Sequence, residues 1–214
     1  MAPIGIGFGG QRVMVDAVEI TVETGRRFLL RWVAANALGL AVGMALFGVL
    51  DDTVGELGDT GDAIAHLVGL PLAATVFGLG QWLVLRRYAQ GSAWGIVGAA
   101  IGLTLGYLGG FLLADGGADF VLGFALMGIG SGLAQWLVLR RRYTLSGWWV
   151  AASGAGFTIG AVIAVGIAIA GLADRLGNGT VAYVALVSFF GVVTGAAGGG
   201  LTGFVLIRAP LTNR

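Results

Sequence analysis

The chain has 214 residues, of which 57% are hydrophobic and 11% charged; 41 are glycine, three are proline and none is cysteine. A soluble domain carries about 25% charged residues and about 7% glycine, so this composition, with a mean hydropathy of +0.92, leaves too little polar surface for a water-exposed particle. It excludes a soluble enzyme, a nucleic-acid binder, a disulfide scaffold and a disordered chain, and it points to an all-α polytopic membrane protein.

Residues 1–27 read as an N-terminal cytoplasmic or interfacial segment. Asp16, Glu19 and Glu23 stand where the apolar stretch of a signal peptide would lie. A short interfacial helix is predicted from about Gln11 to Arg27. Residues 28–214 read as a single transmembrane domain. About 20 apolar residues cross ~30 Å of hydrocarbon as a helix, and six stretches qualify: Phe28–Leu50, Ala63–Leu85, Ala93–Ala114, Phe120–Leu139, Trp148–Ala170 and Val181–Ile207. None holds an acidic residue, and Arg31, the one internal arginine, is close enough to an end to snorkel. The connections Asp51–Asp62, Arg86–Ser92, Asp115–Asp119, Arg140–Gly147 and Gly171–Thr180 read as short polar loops.

The net charge of +1 hides a strong asymmetry. Arg12, Arg26, Arg27, Arg31, Arg86, Arg87, Arg140, Arg141, Arg142, Arg208 and Arg214 flank helix ends that share one side, whereas Arg175 alone falls on the other. The second side collects Asp51, Asp52, Glu56, Asp59, Asp62, Asp115, Asp119 and Asp174. The positive-inside rule then predicts a multi-pass protein of the inner (plasma) membrane with both termini cytoplasmic.

The chain also repeats itself. Gln81-Trp-Leu-Val-Leu-Arg-Arg-Tyr88 returns as Gln135-Trp-Leu-Val-Leu-Arg-Arg-Arg-Tyr143, and the same offset of 54 maps Ser92, Trp94, Gly102, Thr104 and Gly106 onto Ser146, Trp148, Gly156, Thr158 and Gly160. A degenerate third copy ends at Leu201-Thr-Gly-Phe-Val-Leu-Ile-Arg208, and Trp32-Val-Ala-Ala-Asn-Ala-Leu-Gly39 matches Trp149-Val-Ala-Ala-Ser-Gly-Ala-Gly156. The predicted unit is a two-helix hairpin at residues 28–87, 92–142 and 147–208. Each unit crosses twice, so the copies run parallel, unlike the inverted repeats of many transporters.

Aligned this way, the odd helices carry Ala35/Gly39/Gly43, Gly98/Gly102/Gly106 and Ala152/Gly156/Gly160. The even ones carry Ala74/Gly78, Gly128/Gly132 and Ala196/Gly200, and in the sixth span Gly191, Gly195, Gly199 and Gly203 make one face bare backbone, where either another helix docks closely or the helix is broken. Small residues four apart share a helix face, and in lipid they are what lets helices attract one another. A glycine zipper is therefore expected at these positions, with Gln81 and Gln135 on the same faces and directed into the bundle. The repeated Gln-Trp-Leu-Val-Leu-Arg-Arg followed by a tryptophan-led small-residue helix resembles a group of uncharacterised bacterial multi-pass membrane proteins. That resemblance implies a fold and no particular chemistry, and it weakens at Gly203 and Phe204, which replace Gln and Trp.

Candidate chemistry is sparse. His66, the single histidine, could ligate a pigment or relay a proton, yet it reads better as a residue of the outer interface. The five carboxylates of Asp51–Asp62 lack the alternating spacing of a calcium loop. Ser131 and Ser153 read as small packing residues, and Asn178-Gly-Thr180 is a chance sequon. No catalytic residue, metal site or cofactor is expected; His66 and Asn36 are the side chains that would serve a pigment or quinone. All six tryptophans lie near arginines, which reads as an aromatic belt. Within it, Trp82, Trp94, Trp136 and Trp148 with Arg86, Arg87 and Arg140–Arg142 could engage anionic lipid headgroups.

The expected function is therefore non-enzymatic: a structural or accessory subunit, or a lipid-organising scaffold, whose partners are membrane lipids and other membrane proteins or further copies of itself, not nucleic acid. A channel for a small neutral solute, lined by Asn36, Gln81, Gln135, Thr104 and Thr158, is the alternative; a pigment- or quinone-binding subunit is the third.

Overall fold

The computed structural model describes residues 9–88, 93–113, 119–140 and 147–208, with side chains at 25–87, 93–110, 121–140 and 147–208. The described residues are helical, without strands. Six long helices follow one another: α1 (Gly9–Val54), α2 (Leu70–Tyr88), α3 (Trp94–Leu113), α4 (Asp119–Leu139), α5 (Trp148–Ile167) and α6 (Thr180–Arg208). Five helical stretches are long and apolar enough to cross a membrane: Gly25–Leu57, Asp59–Arg87, Val121–Leu139, Trp148–Leu176 and Thr180–Arg208. Trp94–Gly110 is a shorter apolar stretch. By length and composition this is an integral membrane protein.

Each helix packs on its neighbours in sequence, and α1 closes on α6. The result is a ring of six helices around a filled axis. Phe77 of α2 and Phe157 of α5, from opposite sides of the ring, meet edge to face with centroids 6.0 Å apart, and both are fully buried. Leu40, Leu103, Phe124 and Met127 pack around them. Large apolar side chains such as Leu38, Ile101, Leu105 and Ile163 point outward. In lipid that pattern carries no solvation cost, and close packing and interhelical hydrogen bonds, not the hydrophobic effect, hold the helices together.

The helices run further than the hydropathy spans. α1 is continuous from Gly9 to Val54, so the expected boundary at Arg27 between an interfacial helix and a first span is not a break in the backbone. The Asp51–Asp62 connection is not an extended loop. It completes α1, makes a 3₁₀ turn at Gly55–Leu57 and enters a short helix at Asp59–Ile64. Gly58, at φ +59, turns the chain there, and Gly61 seats its backbone against the Val54 carbonyl. Ala65–Gly69 and Ala168–Leu172 form π-helical turns, the second kinked at Gly171 with φ +106. Residues 89–92, 114–118 and 141–146 of the expected loops, and Arg141 and Arg142 with them, lie outside the described residues.

Candidate functional site

Helix contact is made at the level of the backbone. A Cβ added at Gly43 would lie 2.5 Å from the Ala73 carbonyl oxygen; one at Gly156 would lie 2.5 Å from Gly198 Cα; one at Gly160, 2.5 Å from Thr194 Cα. Gly39 sits against Phe77, Gly78 against Ile96 and Ala99, Gly132 against Ser153, and Gly102 and Gly106 against the Gly130 and Leu126 carbonyls. On the last helix the Ala196/Gly200 register gives way to the Gly191/Gly195/Gly199/Gly203 face. A Cβ at Gly200 meets nothing within 4 Å, whereas Gly191, Gly195, Gly199 and Gly203 press on α1. That helix is unbroken through its glycine run and docks along it.

Above this lattice lies a chain of amides. Asn36 Nδ2 donates to the Trp32 carbonyl (2.8 Å), Gln81 Nε2 donates to Asn36 Oδ1 (2.8 Å), and Gln135 Nε2 donates to Gln81 Oε1 (2.7 Å) and to Ser131 Oγ (3.2 Å). All four side chains are buried, so α1, α2 and α4 are tied together inside the bundle. Alongside, the Trp32 indole N–H donates to Thr202 Oγ1 (3.0 Å), whose hydroxyl donates in turn to the Gly198 carbonyl (2.7 Å). α6 thereby joins the same network. A cavity of about 20 Å³ adjoins it, lined by Trp32, Gly78, Gln81, Trp82, Leu85, Gly95, Gln135 and Leu139. That is room for about one water molecule.

Two of the six tryptophans do not belong to a belt. Trp32 and Trp149 are fully buried with centroids 6.4 Å apart, and they form a core with Leu85 and Leu206. Trp94 and Trp148 are the outward-facing ones, 69% and 73% exposed. Trp82 and Trp136 are half-buried and carry Arg86 and Arg140 over their rings at 4.8 and 4.9 Å; Arg208 lies over Phe204 at 4.0 Å. The Trp32 core brings the arginine-bearing ends of α2, α4 and α6 to one end of the ring. Its neighbours include Trp136, Leu139 and Val205.

The opposite end is held differently. Tyr183 Oη donates to Asp51 Oδ2 (2.6 Å) and Thr180 Oγ1 to Asp52 Oδ2 (2.7 Å), tying the end of α1 to the start of α6. The sequence marks Asp51–Asp62 as a short polar loop; the partners of Asp51 and Asp52 lie 132 and 128 residues away, where no local signal points to them. His66 sits on the π turn with Nδ1 2.7 Å from the Asp62 carbonyl oxygen and its ring between Phe47 and Tyr107 (both 5.7 Å). Asn36 is committed to Trp32 and Gln81, so the two side chains considered for a cofactor lie in different places with different partners. Among the described residues, no group of three or more His, Asp and Glu is placed to hold a metal ion. Thr104 Oγ1, Trp149 Nε1 and Thr194 Oγ1 are buried without a hydrogen-bond partner.

No known protein family, curated protein or solved structure matches this chain.

Proposed function

We propose that this is a non-enzymatic integral membrane protein whose role is to be a rigid body in the bilayer: a structural or accessory subunit, or a lipid-organising scaffold. The observation that carries this reading is the closed chain Trp32–Asn36–Gln81–Gln135–Ser131. These are buried polar side chains, and they hydrogen-bond one another. A catalytic or transport site needs polar groups turned toward a substrate or a water path. Here the axis beside them is filled by Phe77 and Phe157, which weighs against the channel reading.

On this reading six helices span the inner membrane as three parallel hairpins, with both termini and the arginine-bearing end cytoplasmic. Partners are anionic lipids at Arg86, Arg87 and Arg140–Arg142 and other membrane proteins or copies of the chain. The offset of 54 that maps Trp94 onto Trp148 puts Gly95 at the position of Trp149 and, through the first-helix match, of Trp32. The small cavity lies at Gly95, where a third indole would stand. Gly203, which takes the place of Gln81 and Gln135 in the last copy, is where a Cβ would meet the Trp32 ring at 2.8 Å. Of the two departures from threefold repetition, Trp32 occupies the one at Gly203 and the one at Gly95 leaves the cavity.

The test is purification from native membrane with identification of bound lipids and proteins, joined to solute flux in liposomes. A stable lipid or protein complement without flux is expected. Flux of a neutral solute that Gln81→Leu alters would replace this reading with the channel.

A further inference from the structure

The outer surface of the ring carries a groove of about 430 Å³ between α3 and α4, and its shape is a consequence of the glycine packing. Gly102 and Gly130 bring the two backbones into direct contact, which makes the floor. Ile101 and Leu105 on one side, Leu133 and Leu137 on the other, form its walls and are 53%, 62%, 47% and 45% exposed. The groove is lined on α4 from Leu126 to Leu137, a rise of about 16 Å at 1.5 Å per residue. That matches one leaflet, half of a hydrocarbon core ~30 Å thick. A helix of a second copy would need the full depth; a single acyl chain needs half.

The groove also has a charged end. Arg140 follows Leu133 and Leu137 on the same stripe of α4, and it is exposed with its guanidinium over the Trp136 ring. Trp94, seven residues before Ile101 on α3, is the outward-facing tryptophan at that end. Resting on the lipid-organising reading above, we propose that this groove is a binding site for an anionic phospholipid of the arginine-side leaflet, with one acyl chain between α3 and α4 and the phosphate at Arg140. Chain and headgroup are then held by different features, and the two can be separated.

The experiment uses the full chain in mixed phosphatidylcholine and phosphatidylglycerol vesicles, with a photoactivatable group on the acyl chain of either lipid and adducts mapped by mass spectrometry. Phosphatidylglycerol adducts are expected to concentrate on Ile101, Leu105, Leu133 and Leu137. Leu133→Trp, which fills the groove, should abolish them there; Leu105→Trp makes the same prediction from the facing wall if Leu133→Trp does not fold. Arg140→Gln should leave chain adducts in place and reduce the preference for phosphatidylglycerol about fivefold, the contribution of one arginine near an anionic surface. Adducts spread evenly over all outward faces, adducts insensitive to both tryptophan variants, or copy-to-copy cross-links through the groove would each overturn the site. If the preference survives Arg140→Gln but falls with Arg86→Gln and Arg87→Gln, the groove is wrong and the lipid reading stands. If it survives all three, both fall.

Discussion

The central physical claim is that glycine backbones in contact hold this bundle together, and one methyl group tests it. In Gly156→Ala the new Cβ would lie 2.5 Å from Gly198 Cα and 2.9 Å from its nitrogen. Carbon atoms attract best at about 3.5–4.0 Å, so α5 and α6 must part by about 1 Å. Neither atom in the way is the end of a flexible side chain. A gap of 0.5–1 Å forfeits roughly a quarter to a half of each dispersion contact along the seam, and overpacking of this kind costs about 1–3 kcal/mol. Gly200→Ala is the matched control. Its Cβ meets nothing within 4 Å, and replacing a mid-helix glycine by alanine is favourable by about 0.5–1 kcal/mol. Unfolding by SDS in mixed micelles, followed by circular dichroism, should move in opposite directions for the two variants and separate them by about 2 kcal/mol or more. Gly191→Ala, 2.7 Å from Ala41 Cα, should side with Gly156→Ala. Equal midpoints for Gly156→Ala and Gly200→Ala would refute the backbone-contact argument.

Further tests address the polar core. A double-mutant cycle on Gln81→Leu and Gln135→Leu in the same unfolding assay should return a coupling of about 0.6–1.7 kcal/mol, the range for one interhelical hydrogen bond in a membrane; strict additivity would mean that the 2.7 Å contact is energetically silent. Thr202→Val removes the acceptor of the Trp32 indole and should lower the unfolding free energy in the same assay by about 1 kcal/mol. Thr194→Val, of similar shape, removes a buried hydroxyl that has no partner and should be neutral or stabilising, so a loss there comparable to Thr202→Val would contradict the hydrogen-bond assignment. Gly203→Gln, which writes the repeated residue into the third copy, should destabilise by about 1–3 kcal/mol by displacing Trp32, read as reduced tryptophan burial in fluorescence; an unchanged spectrum and midpoint would show that the indole does not depend on that space.

Much of the packing was legible because it rests on spacing alone. Gly39/Gly43, Gly102/Gly106 and Gly156/Gly160 recur at the interval that fixes a helix face, and each meets a neighbouring backbone or side chain in the bundle. Gln81 and Gln135 follow from the same periodicity, and they do point inward. Where spacing is degenerate two readings compete. Gly198-Gly-Gly200 offers three registers at once: alignment of the repeats selects Gly200, which touches nothing, whereas the fourfold spacing Gly191/Gly195/Gly199/Gly203 selects Gly199, which touches Asn36 and Val33. Adjacent Trp148 and Trp149 pose the same difficulty. About 100° apart on the helix, as 3.6 residues per turn require, one faces outward and the other is fully buried, while composition assigns both to a belt. The Asp51–Asp62 stretch looked like loop because carboxylates and glycines favour solvent, but its helical course is set by what it docks on, including Tyr183 and Thr180 far along the chain.

These misreadings have a common physical origin that bears on function. Periodicity identifies a face, whereas the use of that face depends on which other copy of the hairpin meets it. In the proposed threefold arrangement, copies that were identical would place three indoles and three glutamines at one level of a narrow axis. The chain instead places Trp32, Trp149 and Gly95 at one position, and Gln81, Gln135 and Gly203 at the other. Trp32 takes the space left by Gly203 and donates to the neighbouring Thr202, and Gln81 and Gln135 bond each other beside the room left at Gly95. The space at Gly203 is thus filled by Trp32, whereas the space at Gly95 remains as the small cavity beside the paired amides. A conducting path needs polar groups turned toward the axis; here they pair with one another, with room for about one water beside them, an arrangement that fits the proposed role of a body positioning lipids or partner helices.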